Sequence, residues 1–219
     1  MLVLALDAST YTGSAALIRD GALIAETDAA MRGQHEERLM PAVASLLHRA
    51  RTDPGDLGAV ACGGGPGSFT SLRIAASIAK GIAVARRLPL FVAPSLVLAV
   101  AAADTPLAPG TYVVLLGAMR GDVFGVTVRV AGRRAPVAID QPWLARREDA
   151  LARAAGEGAI VVGPDEPRRC VPHARGFAVL LRDGAVVEVD LSSWEPDYGR
   201  KAEAQVRWEG VHGRPLEAR

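Results

Sequence analysis

Lysine is almost missing from this chain of 219 residues: of its 25 basic side chains only Lys80 and Lys201 are lysine, and the other 23 are arginine. Set beside the abundant alanine, that reads as a composition-wide preference and not as a patch built for phosphate. Charge of one sign is also lacking. The net charge is +1, with nine basic against eight acidic side chains in residues 1–100 and sixteen against sixteen in the rest. Nucleic-acid binding by bulk charge alone is thereby set aside. Cys62 and Cys170 lie far apart and follow no Cys-x-x-Cys pattern, so a reduced, cytoplasmic compartment is the simpler reading. Long apolar runs are missing too. Leu88–Ala103 is interrupted by Pro89 and Pro94, and Met1–Leu6 has no basic flank and is broken by Asp7, so neither a membrane span nor a signal peptide is expected. No repeat, low-complexity tract or heptad pattern stands out.

What is present is a half-hydrophobic composition with 22% charge, enough for one large or two small domains with their own cores. The most distinctive stretch is Gly63-Gly64-Gly65-Pro66-Gly67-Ser68-Phe69-Thr70-Ser71-Leu72-Arg73. Ala59–Cys62 ahead of it reads as a buried strand, and Leu72, Ala75, Ala76, Ala79, Ile82 and Ala83 after it recur at helical spacing. Ser68 suits the N-cap, and backbone N–H groups at such a helix start can hold an anion. The alternative is a tight connection whose glycines only let helix and sheet approach. Both named phosphate motifs fail: Lys80 lies three turns into the helix, too late for a P-loop, and Ser68 stands where the dinucleotide fingerprint needs its third glycine.

The rest of the chain falls into place around that stretch. Leu2–Leu6, Ser14–Ile18 and Ala22–Glu26 read as three strands, the last two joined by an Asp20-Gly21 hairpin turn. Between the first two sit Asp7, Ser9, Thr10 and Thr12, either local backbone caps or the remnant of a phosphate-binding turn. His35–Ala50 reads as an amphipathic helix with Pro41 in its first turn. A metal pair on its face would need a second ligand at position 39, which is Leu39, so His35 is expected to be a capping or surface residue. Leu90–Ala93 follows as a strand and Ser95–Ala103 as a helix capped by Ser95. Asp104–Gly110 is the best boundary, giving domains 1–104 and 105–219. Beyond it Tyr112–Leu116, Val123–Val130 and Ala159–Val162 read as strands, Glu148–Ala155 as a helix, Leu180–Val187 as a second Asp-Gly hairpin and Lys201–Trp208 as a last helix.

Leu6-Asp7-Ala8-Ser9-Thr10, His35–Pro41, Gly65–Ile74 with Ala79-Lys80-Gly81, and Pro196-Asp197-Tyr198-Gly199-Arg200 together resemble the TsaB (YeaZ) family. The resemblance implies an α/β fold of two ribonuclease-H-like, actin-like (ASKHA) subdomains, the second smaller and degenerate. It implies a non-catalytic subunit, without cofactor or metal, required for threonylcarbamoyl transfer to the tRNA adenosine beside the anticodon. The expected partners are the catalytic subunit TsaD and the ATPase TsaE, with tRNA met only through the complex. TsaD carries two metal-binding histidines four residues apart, where this chain has His35 and Leu39. The two helices of the first domain are the family's partner face, so part of Leu39, Met40, Val43, Leu46, Leu47, Leu72, Ile74, Ala75, Ile78 and Ile82 is expected under a partner, or under a second copy when TsaD is absent. Asp7, Ser9, Thr10 and Thr12 are candidates for a vestigial phosphate site. The competing expectation from another class is an ATP-dependent small-molecule kinase built on Asp7 and that turn. The chain departs from the family pattern at Ser71, usually glycine, and at Gly117-Ala118-Met119 ahead of Arg120, usually Asp-Ala-Arg. Phe177–Leu191 also looks more strand-like than the family suggests.

Overall fold

The computed structural model describes residues 1–32, 37–200, 208 and 211–213. Three antiparallel strands open it, β1 (Leu2–Asp7), β2 (Thr12–Arg19) and β3 (Ala22–Ala30). Asp20 and Gly21 both have positive φ, the backbone a two-residue hairpin turn requires. Helix α1 (Leu39–Arg49) starts later than the apolar stripe suggested, because the Glu37 carboxylate accepts from the N–H groups of Leu39 and Met40 and ends the approach there. Pro41 falls in the first turn, where a missing N–H costs nothing. His35 lies outside the described residues.

Next come β4 (Ala59–Gly63), α2 (Phe69–Arg86), β5 (Leu90–Ala93) and α3 (Ser95–Ala101), with β4 parallel to both β1 and β5. The second sheet contains β6 (Gly110–Gly117), β7 (Asp122–Val130), β8 (Val137–Ala138), β9 (Trp143–Arg146) and β10 (Ile160–Val162), with α4 (Arg147–Gly156) before β10. The chain then returns through α5 (Phe177–Arg182) to β11 (Val187–Val189), which pairs with β5 and completes a six-stranded sheet in the order β11-β5-β4-β1-β2-β3. Residues 174–189, expected within the second domain, thus pack with the first sheet.

The second Asp-Gly hairpin is not formed. Phe177 and Leu180 are buried three residues apart, a helical period, and Asp183-Gly184 closes α5 instead. Gly184 is left-handed, and the N–H groups of Ala185 and Gly184 donate to the Leu180 and Leu181 carbonyls at 2.7 and 3.3 Å, the Schellman pattern of a helix end. Of the Lys201–Trp208 helix only Trp208 is described.

Three apolar layers hold the elements. One face of the first sheet (Leu4, Leu6, Val60) packs on α1 and α2 through Leu39, Val43, Leu46, Ala75 and Ala79. Its other face (Val3, Ala5, Ile18) joins α3, α5 and the second sheet through Leu96, Phe177 and Tyr112 in one continuous core. A small cluster under α4 (Val113, Leu115, Ala150, Ala154) closes the far side. These are two ribonuclease-H-like units, the second smaller.

Candidate functional site

Asp7 ends β1 as an acidic residue with no solvent exposure. Its carboxylate accepts from Ser95 Oγ at 2.6 Å, from Ser9 Oγ at 2.8 Å and from the Ser9 N–H at 3.1 Å. Burial holds the Asp7 carboxyl above its ordinary value; the hydrogen bonds from Ser95 and Ser9 and the charge of His173 act the other way without cancelling it. Burial, with the neighbouring Asp7 charge adding, also pushes the Cys62 thiol up. A Cβ at Gly63 would collide with the Asp7 carboxylate, so the first glycine of the cluster makes room for that acid.

The remaining glycines bring backbone against backbone. The N–H of Gly64 donates to the Ala93 carbonyl at 2.8 Å, that of Gly65 to Ser95 Oγ at 3.0 Å and that of Ser68 to the Ser9 carbonyl at 2.7 Å. Gly65 has φ 86°, and a side chain there would collide with the Asp197 carbonyl, as one at Gly67 would with the Ser9 carbonyl. Residues 190–200 form a strap along α2: Lys80 Nζ donates to the Trp194 carbonyl at 2.9 Å, the Asp197 N–H to the Gly64 carbonyl at 2.8 Å, and Gly199 sits against Phe124 of the second unit and Pro66. The loop amides of Gly64, Gly65 and Ser68 are thus engaged with protein acceptors.

The four candidate phosphate residues therefore do not make one site. Asp7 and Ser9 are buried in the junction, whereas Thr10 and Thr12 form a surface turn in which Thr10 Oγ1 accepts from the Thr12 N–H at 3.1 Å and donates to its carbonyl at 2.8 Å. Ser68 is the N-cap of α2 by backbone, but its side chain makes no capping bond and meets Ser71 Oγ at 3.0 Å. Ser95 is not a cap either. Pro94 holds that position and Ser95 is the first helical residue, which aims its hydroxyl at Asp7 and Gly65. Sequence reasoning missed Ser95 as the junction's hub, since its only sequence signal was its position at a helix start.

The outer face of α1 and α2 is different. Of the ten residues expected under a partner, Leu39, Val43, Leu46, Leu47, Leu72 and Ala75 are interior to this chain and have at most 8% of their surface left to bury. That narrows the set to Met40, which is exposed, and Ile74, Ile78 and Ile82, which are half-buried four residues apart along α2. Ile74 and Ile78 line an open groove of ≈ 400 Å³ with Glu37, Phe69, Arg73 and Ser77. Phe69 lies 4.5 Å from Tyr198 between ring centroids, and the Arg73 guanidinium lies 5.3 Å over its ring. At Gly81 a Cβ would meet no described residue within 4 Å, so packing among the described residues does not require that small residue.

The glycine loop, Asp7, Ser95 and the strap thus make one closed strand-to-helix junction in an α/β protein of two ribonuclease-H-like units. A family model described as TsaD, tRNA N6-adenosine threonylcarbamoyltransferase, matches residues 28–153. The chain belongs to that family. It is 40% identical over 96 residues to the tRNA threonylcarbamoyladenosine biosynthesis protein TsaB of Bacillus subtilis, covering 44% of this chain and 42% of that one. It is also 40% identical over 90 residues to the Escherichia coli protein of the same description, covering 41% and 38%. The aligned region is thus about two fifths of those curated relatives' length. A Pseudomonas aeruginosa structure described as similar to peptidase YeaZ superposes with a TM-score of 0.75 at 23% identity, over 91% of this chain and 99% of that one, a likeness of fold.

Proposed function

We propose that this chain is a non-catalytic subunit in threonylcarbamoyladenosine biosynthesis, docking through the outer face of α1 and α2 onto the catalytic subunit TsaD. TsaE joins the same assembly, tRNA is met in the complex, and the setting is the cytoplasm. The first unit carries the docking face, in keeping with a functional division at residues 104 and 105. The observation that carries the reading is the internal engagement of the glycine loop and of Asp7. The Asp7 carboxylate is bonded to Ser9 and Ser95, and the Gly64, Gly65 and Ser68 amides to Ala93, Ser95 and Ser9.

The uncovered apolar positions on α2 supply the complementary half. Ile74, Ile78 and Ile82 with the shelf at Gly81 give a partner helix a close, apolar approach. In the absence of TsaD, two copies pair through the same face. A small-molecule kinase would have to release the Asp7 carboxylate from three hydrogen bonds and displace the strap before a nucleotide reached the loop.

The test is co-elution of the purified chain with TsaD in size-exclusion chromatography, together with the modified-nucleoside content of tRNA from a strain lacking the gene. A stable complex and loss of the modification are expected. Separate elution with normal modification would remove the proposal, and saturable nucleotide binding by the isolated chain in calorimetry would favour the kinase.

A further inference from the structure

Helices α1 and α2, of 11 and 18 residues, hold no aspartate or glutamate, in a chain that has 24 acidic side chains and a net charge of only +1. Their formal charges are all positive: Arg49 on α1, and Arg73, Lys80 and Arg86 on α2. None of the four is paired with a carboxylate among the described residues. Each has a neutral partner instead. Arg49 Nη1 donates to Ser45 Oγ at 2.9 Å, Lys80 Nζ to the Trp194 carbonyl at 2.9 Å and Arg86 Nη2 to the Gly55 carbonyl at 3.0 Å, while the Arg73 guanidinium stands 5.3 Å over the Phe69 ring.

Three of the four have a local reason. Arg49 and Arg86 lie in the last turns of their helices, where the macrodipole favours a cation, and Lys80 ties the strap to α2. Arg73 has no such reason. It is exposed in the second turn of α2, toward the end that the dipole makes positive. The Phe69 ring beneath it lies 4.5 Å from Tyr198 of the strap, and both Phe69 and Arg73 line the groove beside Ile74 and Ile78. Among the described residues Glu37 is the one acid lining that groove, and its carboxylate is taken up by the N–H groups of Leu39 and Met40.

We propose that the outer face of α1 and α2 takes a partner protein surface that is apolar at its centre and acidic at its rim, with Arg73 meeting a carboxylate of the partner. This rests on the docking reading above and adds the chemistry that selects the partner. A guanidinium pairs with a carboxylate bidentately. The row of Ile74, Ile78 and Ile82 offers a helix the close apolar contact that a phosphate backbone has no use for. Charge also separates such a partner from a second copy of the chain, whose face would bring like charges together.

The test is titration calorimetry of the full chain with purified TsaD between about 50 and 200 mM salt, with self-association of the chain followed by ultracentrifugation over the same range. Affinity for TsaD is expected to fall as salt rises, whereas self-association holds or rises. Arg73→Glu is expected to weaken TsaD binding about tenfold or more at low salt and to flatten its salt dependence. Its thermal unfolding should match the unaltered chain, since Arg73 has no ion pair to lose. Should that variant not fold, Ser77→Glu against the isosteric Ser77→Gln reads the same charge one turn further along the groove, the glutamate binding more weakly and the gap closing with salt. Unaltered TsaD affinity in folded Arg73→Glu, an affinity that does not fall with salt, or a loss in that variant of binding to a tRNA transcript and not to TsaD overturns the proposal. Ile78→Ala, which removes apolar contact without adding charge, runs in parallel. If it weakens the complex and Arg73→Glu does not, the docking reading stands and this one falls; if the wild-type chain does not bind TsaD, both fall.

Discussion

Helix α2 begins in one kind of environment and runs through another. At its start the glycine loop, Asp7, Ser9, Ser95 and the strap close on each other until the polar groups are satisfied from within. One to three turns later, Ile74, Ile78 and Ile82 stand half-covered, the first two beside a groove that no described residue fills. Buried polar groups left unpaired are costly, so the Asp7 carboxylate and the loop amides that hold one another resist being opened. Uncovered apolar surface favours association instead. The comparison teaches that one helix can be locked at its start by its own chain and left open to contact along its outer face.

The sharpest way to break the closed end is Gly65→Ala. It combines a left-handed backbone with a collision against the Asp197 carbonyl, and a loss of about 3 kcal/mol or more is expected in denaturant unfolding. Asp7→Ala follows, at about 2–3 kcal/mol, because it leaves the Ser9 amide and the hydroxyls of Ser9 and Ser95 without their acceptor. Asp7→Asn separates charge from shape. The folded carboxyl lies above its unfolded value of 3.8, so the native state binds the proton more tightly. The contribution of Asp7 is then fully present below that value and declines as pH rises through its raised folded value. Unfolding of wild type and Asp7→Asn at a series of pH values should show the wild-type advantage shrinking over that window; an advantage that grows with pH contradicts it.

At the open end, Ile78→Asp should leave folding nearly unchanged and weaken TsaD binding by about 2 kcal/mol, roughly thirtyfold, in titration calorimetry. The smallest effect expected is that of Ser68→Ala. Ser68 makes no side-chain N-cap bond, so what is lost is its hydrogen bond with the buried Ser71 hydroxyl, about 1 kcal/mol in thermal unfolding.

The sequence made the order of elements legible wherever periodicity and turn chemistry agreed. The Asp20-Gly21 hairpin, the buried run of β1 and the passage from β4 into α2 were all readable from local signals. Asp183-Gly184 shows the limit. The same dipeptide that turns a hairpin also ends a helix, and only the tertiary burial of Phe177 and Leu180 decides between them. The return of β11 to the first sheet is a long-range pairing with no local signature. For the candidate site, Asp7 and the glycines were visible, but Ser95 and Asp197 meet them across 88 and 132 residues of chain, so what closes the junction was not. Six of the ten partner candidates lie inside the chain for a related reason: an amphipathic stripe marks the face toward the chain's own sheet first.

Hydrogen exchange of the chain alone and with added TsaD tests the contrast most directly. The Gly64, Gly65 and Ser68 amides should exchange slowly in both states, and peptides spanning 69–86 should gain protection when TsaD is present. Fast exchange of the glycine loop in the free chain, or protection by TsaD at that loop instead of along α2, would contradict a closed junction beside an open face.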